Sequence, residues 1–456
     1  MISIIYLTEF AVIRLLLMAL LGKKPYILAV APIIPLLRSP MEWLVKKLMA
    51  NNLARHISGL DPEVEWLCDY SARTLFYNVF AETESWHNEH FLFAEADKRS
   101  GEWALPYKNI TCNYAHNLHF HMIMVKLLCL HPKFSRMRFF GLSADCVSML
   151  AAYDGEKITP TIKVAFIPNR IVNFLIFLVM TTASLLWAIS KMRITEKKRE
   201  DYFFAADYVE DNRDVNLYEE ISDGGRVLLV LRNKHQKTDQ FKELQSYSKC
   251  TISDGYLPIR KAWTELKELL QEAIRLNACF NKLHPAVFFM VASLPIKRLI
   301  QRTFFYRFSP HHYWGRDDYN VEHILRHQIT KKIGVQSLGI LHGYTCYANY
   351  EAPFRYISFD NYYMIGTYTF DRYMKDTWGS GFKVTPIGSF GATRADYRQL
   401  KEGKPKNIII MVSVFVGNPL YKEIIRSLAA TFQDRKFFLQ IKPRFESMLN
   451  RRSTDF

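Results

Sequence analysis

The chain has 456 residues, enough for two domains that each bury a core, and its 49% hydrophobic and 14% aromatic content excludes a disordered or low-complexity protein. Lysine and arginine number 60 against 44 acids, a formal charge of +16 that suits an anionic partner: a nucleic acid, an anionic membrane face or a phosphorylated substrate. No arginine-rich tail, zinc-finger spacing or RNP-like aromatic pattern is present, so nucleic acid is set aside.

The seven cysteines (Cys68, Cys112, Cys129, Cys146, Cys250, Cys279 and Cys346) are scattered, odd in number and never spaced C-x-x-C. That is how reduced cytosolic thiols are used, and it argues against a disulfide framework and a cysteine zinc site. The apolar start has no basic n-region, and Glu9 and Arg14 interrupt it, so it reads as folded structure and not as a secretory leader.

In chain order, the pattern predicts a βαβ opening: strand Ile2 to Leu7, helix Phe10 to Leu21, a basic turn at Lys23 and Lys24, and strand Tyr26 to Ala31. Met41 to Ile57 reads as an amphipathic helix, and residues 60 to 165 as short helical stretches mixed with loops. A strand is expected at Arg226 to Leu231, a helix at Ile259 to Leu276 and an apolar strand at Ala286 to Ala292. There follow a helix from Tyr319 to Lys332 and strands at Ser337 to Leu341, Asn361 to Ile365 and Lys383 to Ile387. Residues 393–407 are charged and polar, the best linker candidate. Beyond it comes a new unit of strand Ile408 to Ser413, helix Pro419 to Thr431 and strand Phe437 to Ile441. Strands alternating with helices make this an α/β protein with a parallel sheet, in which the strands at Ile2, Tyr26, Arg226 and Ser337 read as parts of one sheet.

Residues 171–190 carry no charge, and Arg170, Lys191, Arg193, Lys197, Lys198 and Arg199 flank them. The length allows a transmembrane helix of about 30 Å. A single crossing, however, would put the strands before and after it on opposite sides of a bilayer. A membrane-dipping or interfacial helix is therefore favoured over a buried core helix or a true span, and the basic flank suits anionic headgroups.

The chemistry-bearing stretch runs from Trp314 to Gly388. It contains G-R-D-D-Y (315–319), then a helix, S-L-G-I-L-H-G-Y (337–344), F-D-N-Y-Y-M-I-G (359–366) and T-P-I-G-S (385–389). His342 and Gly343 end a predicted parallel strand, where open α/β sheets place ligands. His342 there can act as a general base, donate to a phosphate oxygen, or simply cap the strand. Gly343 allows a tight turn or a close approach by a ligand. Asp317 and Asp318 precede a helix, where an acid either caps free N–H groups or deprotonates an acceptor. Tyr344, Tyr347, Tyr350 and Tyr356 offer faces for sugar rings, although half-buried tyrosines of this kind are common. His116, His119 and His121 lack a carboxylate at metal-site spacing and read as packing or surface residues.

Taken as an ordered series, these segments resemble the GT-B glycosyltransferases of bacterial surface-polysaccharide synthesis: capsule and lipopolysaccharide sugar transferases, and relatives of CDP-glycerol glycerophosphotransferases. The resemblance covers 314–444 well, and is architectural before about residue 225. It implies two Rossmann-like lobes, 1–392 on the acceptor side and 408–456 on the donor side, and no obligatory metal or cofactor. The implied catalytic residues are His342, Asp317 and Asp318, and the implied substrate contacts are Arg316, Gly343, Tyr344 and Tyr347. Ser413, Gly417, Lys442 and Arg444 would meet the donor, with Lys442 standing where related enzymes often carry histidine. The donor lobe is expected to be cut short, with one βαβ unit after the linker. This chain alone is therefore expected to bind nucleotide sugars weakly or not at all, and to transfer sugar only if a partner chain completes the lobe or a reduced lobe suffices. The expected partners are a nucleotide-sugar donor, a polysaccharide or lipid-linked acceptor and a membrane surface. The expected location is cytoplasmic, peripheral to the inner membrane. A non-catalytic protein of the same fold, binding acceptor or partner enzymes, stays open as the alternative.

Overall fold

The structure is a computed structural model. It describes residues 2–32, 37–60, 84–131, 137–142, 146–147, 149–150, 169–194, 198–207, 209, 212–222, 224–232, 242–315, 320–341, 356–364, 366–368, 370–371, 375, 378, 383–387, 407–412, 423, 426–427, 430–431 and 436–441. The chain divides into two compact units, Met1–Gly388 and Ser389–Phe456.

The first unit opens with β1 (Ile2–Leu7), α1 (Glu9–Leu20), β2 (Tyr26–Val30), α2 (Arg38–Ala50) and β3 (Arg55–His56). With β4 (Met137–Phe140) these strands form a parallel sheet in the order β3-β2-β1-β4. Ala11, Leu15 and Ala19 of α1 and Met41, Val45 and Leu48 of α2 cover Ile5, Leu7 and Ile27 of the sheet. α2 stops seven residues short of the expected Ile57. Asn51 Nδ2 caps the Lys47 carbonyl at 2.9 Å, and Asn52 turns the chain with a φ of 57°.

Two short helices, α3 (Glu84–Phe91) and α4 (Phe93–Arg99), lead into α5 (Ala104–Leu130), 27 residues long. α5 has no single apolar stripe because it is covered on nearly every side. Tyr107, Ile110 and Ala115 pack into a helical cluster with Phe280, Phe288 and Leu325. Cys112, Met122, Val125 and Leu128 join Ile4, Leu28 and Phe139 of the first sheet. One helix thus belongs to two cores.

The second sheet comprises β6 (Glu200–Asp207), β7 (Val227–Leu231), β8 (Ser248–Thr251), β10 (Phe308–Gly315), β11 (Gln336–Ile340), β12 (Asn361–Met364) and β13 (Lys383–Pro386). Every neighbouring pair is parallel, in the order β13-β12-β11-β10-β6-β7-β8. Numbered within this sheet, the strands run 3-2-1-4-5-6-7, the doubly wound order, with its reversal between β6 and β10. The helices of this region are α6 (Asn169–Ser190), α7 (Asn212–Ser222), α8 (Ile259–Phe280), α9 (Pro285–Ala292), α10 (Leu294–Arg307) and α11 (Val321–Ile333). Two-residue strands β5 (Met192–Arg193) and β9 (Leu257–Pro258) tie the end of α6 to the start of α8.

Two expectations are corrected. The strands at Ile2 and Tyr26 belong to the first sheet, and those at Val227 and Gln336 to the second, so they do not share a sheet. Apolar runs mark strands but not their partners; here β1 is flanked by β2 and β4, and the sheet ends at β3 and β4. Ala286–Ala292 is helical, not extended. A continuous apolar run fits a buried strand or a buried helix equally. The ends decide: Pro285 sits in the first turn and His284 Nδ1 accepts from Ala286 N.

In the second unit, β14 (Asn407–Val412) and β15 (Lys436–Ile441) pair in parallel from Asn407↔Lys436 to Val412↔Ile441. Helical residues 423, 426–427 and 430–431 lie between them in sequence, as a parallel pair requires.

Candidate functional site

Open parallel sheets bind ligands beyond the carboxyl ends of their strands, at the point where the strand order reverses. Here that point falls between Asp207, the last residue of β6, and Gly315, the last of β10; Ala206 and Trp314 pair just before them.

Asp207 is held from three elements. Tyr313 of β10 donates its hydroxyl to Oδ1 at 2.7 Å. Arg326 of α11 donates Nη2 to Oδ2 at 3.0 Å and Nη1 to Oδ1 at 3.4 Å, and its guanidinium lies 4.1 Å from the Tyr313 ring centroid. Tyr218 of α7 donates to the Asp207 backbone carbonyl at 2.7 Å. All four residues are buried. Burial, and then the Asp207 charge, push the Tyr313 phenol well above its ordinary pKa, so it stays a donor. Both carboxylate oxygens of Asp207 are already engaged. The group braces the sheet edge and is not a free base.

Two glycines shape the floor beside this brace. Gly315 and Gly339 face each other in register across β10 and β11. A Cβ on Gly315 would stand 2.5 Å from Arg326 Nη2, and one on Gly339 would meet three atoms of the Phe359 ring at 2.8 Å. Phe359 therefore lies flat on the strand, stacked with His323 of α11 at 4.9 Å and with Tyr362 at 5.5 Å. The Asp207–Arg326 pair and the His323–Phe359 stack both fasten α11, so the sheet edge next to β10 and β11 is fixed from behind.

Arg316, Asp317, Asp318, His342, Gly343, Tyr344, Tyr347, Ser413, Gly417, Lys442 and Arg444 lie outside the described residues. The strands before them are described. β10 ends at Gly315, immediately before Arg316, and β11, its parallel neighbour, ends at Ile340, two residues before His342. In the second unit β14 ends just before Ser413 and β15 just before Lys442. Tyr350 is also outside the described residues; Tyr356 is a packing residue, edge-on to Phe93 at 5.9 Å, with its carbonyl accepting from Asn109 Nδ2 at 2.8 Å. His119 is buried in α5, its ring 5.7 Å from that of His87, and His121 meets Tyr6 edge-on.

The sequence reading does not anticipate Asp207, Tyr313 or Arg326. The available signal is an apolar strand that closes on an acid, F-F-A-A-D (203–207), a frequent way to present a carboxylate at a sheet's carboxyl edge.

A second set of buried charges lies in the helical layer. Arg298 sits 3.6 Å from the Trp103 ring centroid and bonds Glu102 at 2.8 Å, Glu272 at 2.9 Å and Gln328 at 2.5 Å. Arg302 pairs with Glu265, Glu268 and Glu272. The two carboxylates on Arg298 move oppositely. Burial raises Glu272 despite both arginines, whereas Arg298 and Lys332 outweigh the smaller burial of Glu102 and hold it below the usual range. This network joins helices to one another. No family model, no curated protein and no solved structure matches the chain.

Proposed function

We propose that this chain is a glycosyltransferase of the GT-B kind, which moves a sugar from a nucleotide-activated donor to a growing surface polysaccharide or lipid-linked acceptor at the cytoplasmic face of the inner membrane. The observation that carries the proposal is the 3-2-1-4-5-6-7 parallel sheet whose β10 and β11 end side by side just before Arg316–Asp318 and His342–Tyr344. That is the edge where such sheets bind ligands, and the motif series that resembles the family follows these strands in sequence. In this reading the seven-stranded sheet is the core of the acceptor-side Rossmann-like lobe, and the donor-side lobe starts at β14 after the linker.

The reaction follows from those roles. Asp317, Asp318 or His342 takes the proton from an acceptor hydroxyl as its oxygen attacks the anomeric carbon of the donor. The bond from that carbon to the nucleoside diphosphate breaks, and the diphosphate leaves with the electron pair. Lys442, Arg444 and the backbone N–H groups of Ser413–Gly417 offset the charge it gains. Gly343 admits the sugar ring close to the backbone, and Tyr344, Tyr347 and Arg316 hold the acceptor.

The test is transfer itself. The full chain is incubated with UDP-, CDP- and GDP-sugars and a membrane extract, and nucleoside diphosphate release is followed together with label entering polysaccharide or lipid. Release that depends on the acceptor and is lost in His342→Ala supports the proposal. Acceptor binding without any turnover would replace it with the non-catalytic alternative.

A further inference from the structure

α6 is built inside out. Its buried positions are Asn173, Ser184 and Ala188, whereas Ile171, Phe174, Leu175, Leu178, Val179 and Leu186 are exposed, with Val179 at 66%. At 100° per residue these exposed side chains form one continuous stripe. The polar side is used inward: Asn173 Nδ2 donates to the backbone carbonyls of Asn281 and Leu283, at 2.8 Å each.

Those two carbonyls lie just beyond the end of α8. At the other end of α6, β5 pairs with β9 immediately before α8 begins, and Leu257 N donates to the Lys191 carbonyl at 2.8 Å. The two 22-residue helices therefore run antiparallel and are pinned at both ends. α8 adds an apolar stripe of its own. Ile259, Trp263, Leu270 and Ile274 are exposed, Trp263 at 78%, and Leu266 on the same stripe packs into one cluster with Leu185 and Trp187 of α6. The three acids of α8, Glu265, Glu268 and Glu272, are all paired with Arg298 or Arg302 of α10. What α8 leaves exposed beside its stripe includes Arg260 and Lys267, and the ends of α6 add Arg170 and Arg193.

We infer that α6 and α8 form a two-helix platform that lies flat in the surface of an anionic bilayer, with Phe174, Leu175, Val179, Trp263 and Leu270 entering the acyl boundary. This deepens the membrane part of the proposed function and does not depend on the transfer chemistry. α6 alone is about 33 Å long, enough to cross. It cannot cross without carrying α8 along, and α8 bears four basic and three acidic side chains. A helix held in plane by such a neighbour presents its stripe to the acyl chains and its basic rim to the headgroups. The occupant is lipid and not a second copy, because the exposed charges named around the stripes are all basic and an isologous contact would bring like charges together.

The experiment is flotation of the full chain with vesicles of phosphatidylcholine alone and of phosphatidylcholine with phosphatidylglycerol. Binding is expected to the anionic vesicles and to fall as salt rises. Trp263→Glu and the double variant Leu175→Glu/Val179→Glu should each lower partition by about tenfold or more while melting as the parent does, since these side chains are exposed. Quenching by brominated acyl chains should be weaker in Trp263→Phe than in the parent. Unchanged flotation of both charge variants would overturn the inference. So would resistance to alkaline carbonate with the two termini on opposite faces, or a dimer that the same substitutions dissociate. Transfer to a water-soluble acceptor, measured in parallel, separates failure of the platform from failure of the glycosyltransferase reading.

Discussion

The guanidinium of Arg326 lies 4.1 Å from the ring centroid of Tyr313, and both side chains donate to the carboxylate of Asp207. Three elements are thereby clamped at the reversal of the strand order. Asp207→Asn leaves the buried guanidinium without its counter-charge, and unfolding in urea should show a loss of about 3–5 kcal/mol. Tyr313→Phe removes one bond to a charged acceptor and should cost about 1.5–3 kcal/mol. An Asp207→Asn protein as stable as the parent would mean that the pair is not what secures the edge.

Gly339 is expected to tolerate no side chain. The Phe359 ring lies where a Cβ would go, and the ring is held by stacking with His323 and Tyr362. Gly339→Ala should therefore destabilise by about 1–3 kcal/mol through overpacking. Phe359→Leu alone should also destabilise, but the double variant should lose less than the sum, because the smaller residue vacates the methyl's place. A double-mutant cycle in urea reads this coupling directly, and strict additivity would exclude the contact.

His327 carries an assignable pH dependence near neutrality. Burial lowers its pKa, only partly opposed by Asp360, whose Oδ2 is 3.8 Å from Nδ1. The unfolded chain takes up this proton near pH 6.5, the folded chain only at lower pH. Protons then favour the unfolded state, so stability should fall as pH drops from about 7 through 6 toward the folded-state pKa. His327→Gln should flatten this part of the profile, measured as denaturant midpoints across that range. An unchanged slope would assign the effect to other groups.

Most of the elements are legible in the sequence. The βαβ opening, the helix from Ile259 and the strands at Ser337, Asn361 and Lys383 follow from period and turn residues, to within a few positions. What escapes has definite physical causes. α5 is covered on nearly every side and so has no polar stripe to give it away. β10, the central strand, carries Pro310, His311 and His312 in succession, a composition that reads as a break. The Asp207–Arg326 pair joins residues 119 positions apart, one at the end of β6 and the other on α11, which follows β10, the parallel neighbour of β6. By contrast, the strands that precede His342, Ser413 and Lys442 are apolar runs that local pattern reveals, whereas Arg316–Asp318 follow β10, which it does not.

For the proposed chemistry, His342→Ala should lower transfer by about 10²–10⁴-fold, as loss of a general base does, with little change in melting temperature. Asp317→Asn and Asp318→Asn identify the base. The variant that removes it should lose activity at constant stability, and the other should keep both, since asparagine caps a helix as well as aspartate does and Asn320 is the N-cap residue of α11. Rates and melting curves on the three purified variants decide between the roles.

The sharing of α5 between two cores has a consequence for how this protein can be cut. A fragment starting at β6 would keep the whole seven-stranded sheet and still be unsound. It would lose Trp103, Tyr107 and Ile110, and with them the cover over Phe280, Phe288, Val291 and Leu325. A fragment ending before α5 would strip the first sheet of Met122, Val125 and Leu128 in the same way. Neither sheet can be expressed, swapped or inherited as an independent module without the helix, and the helix cannot serve one sheet without exposing the surface made for the other.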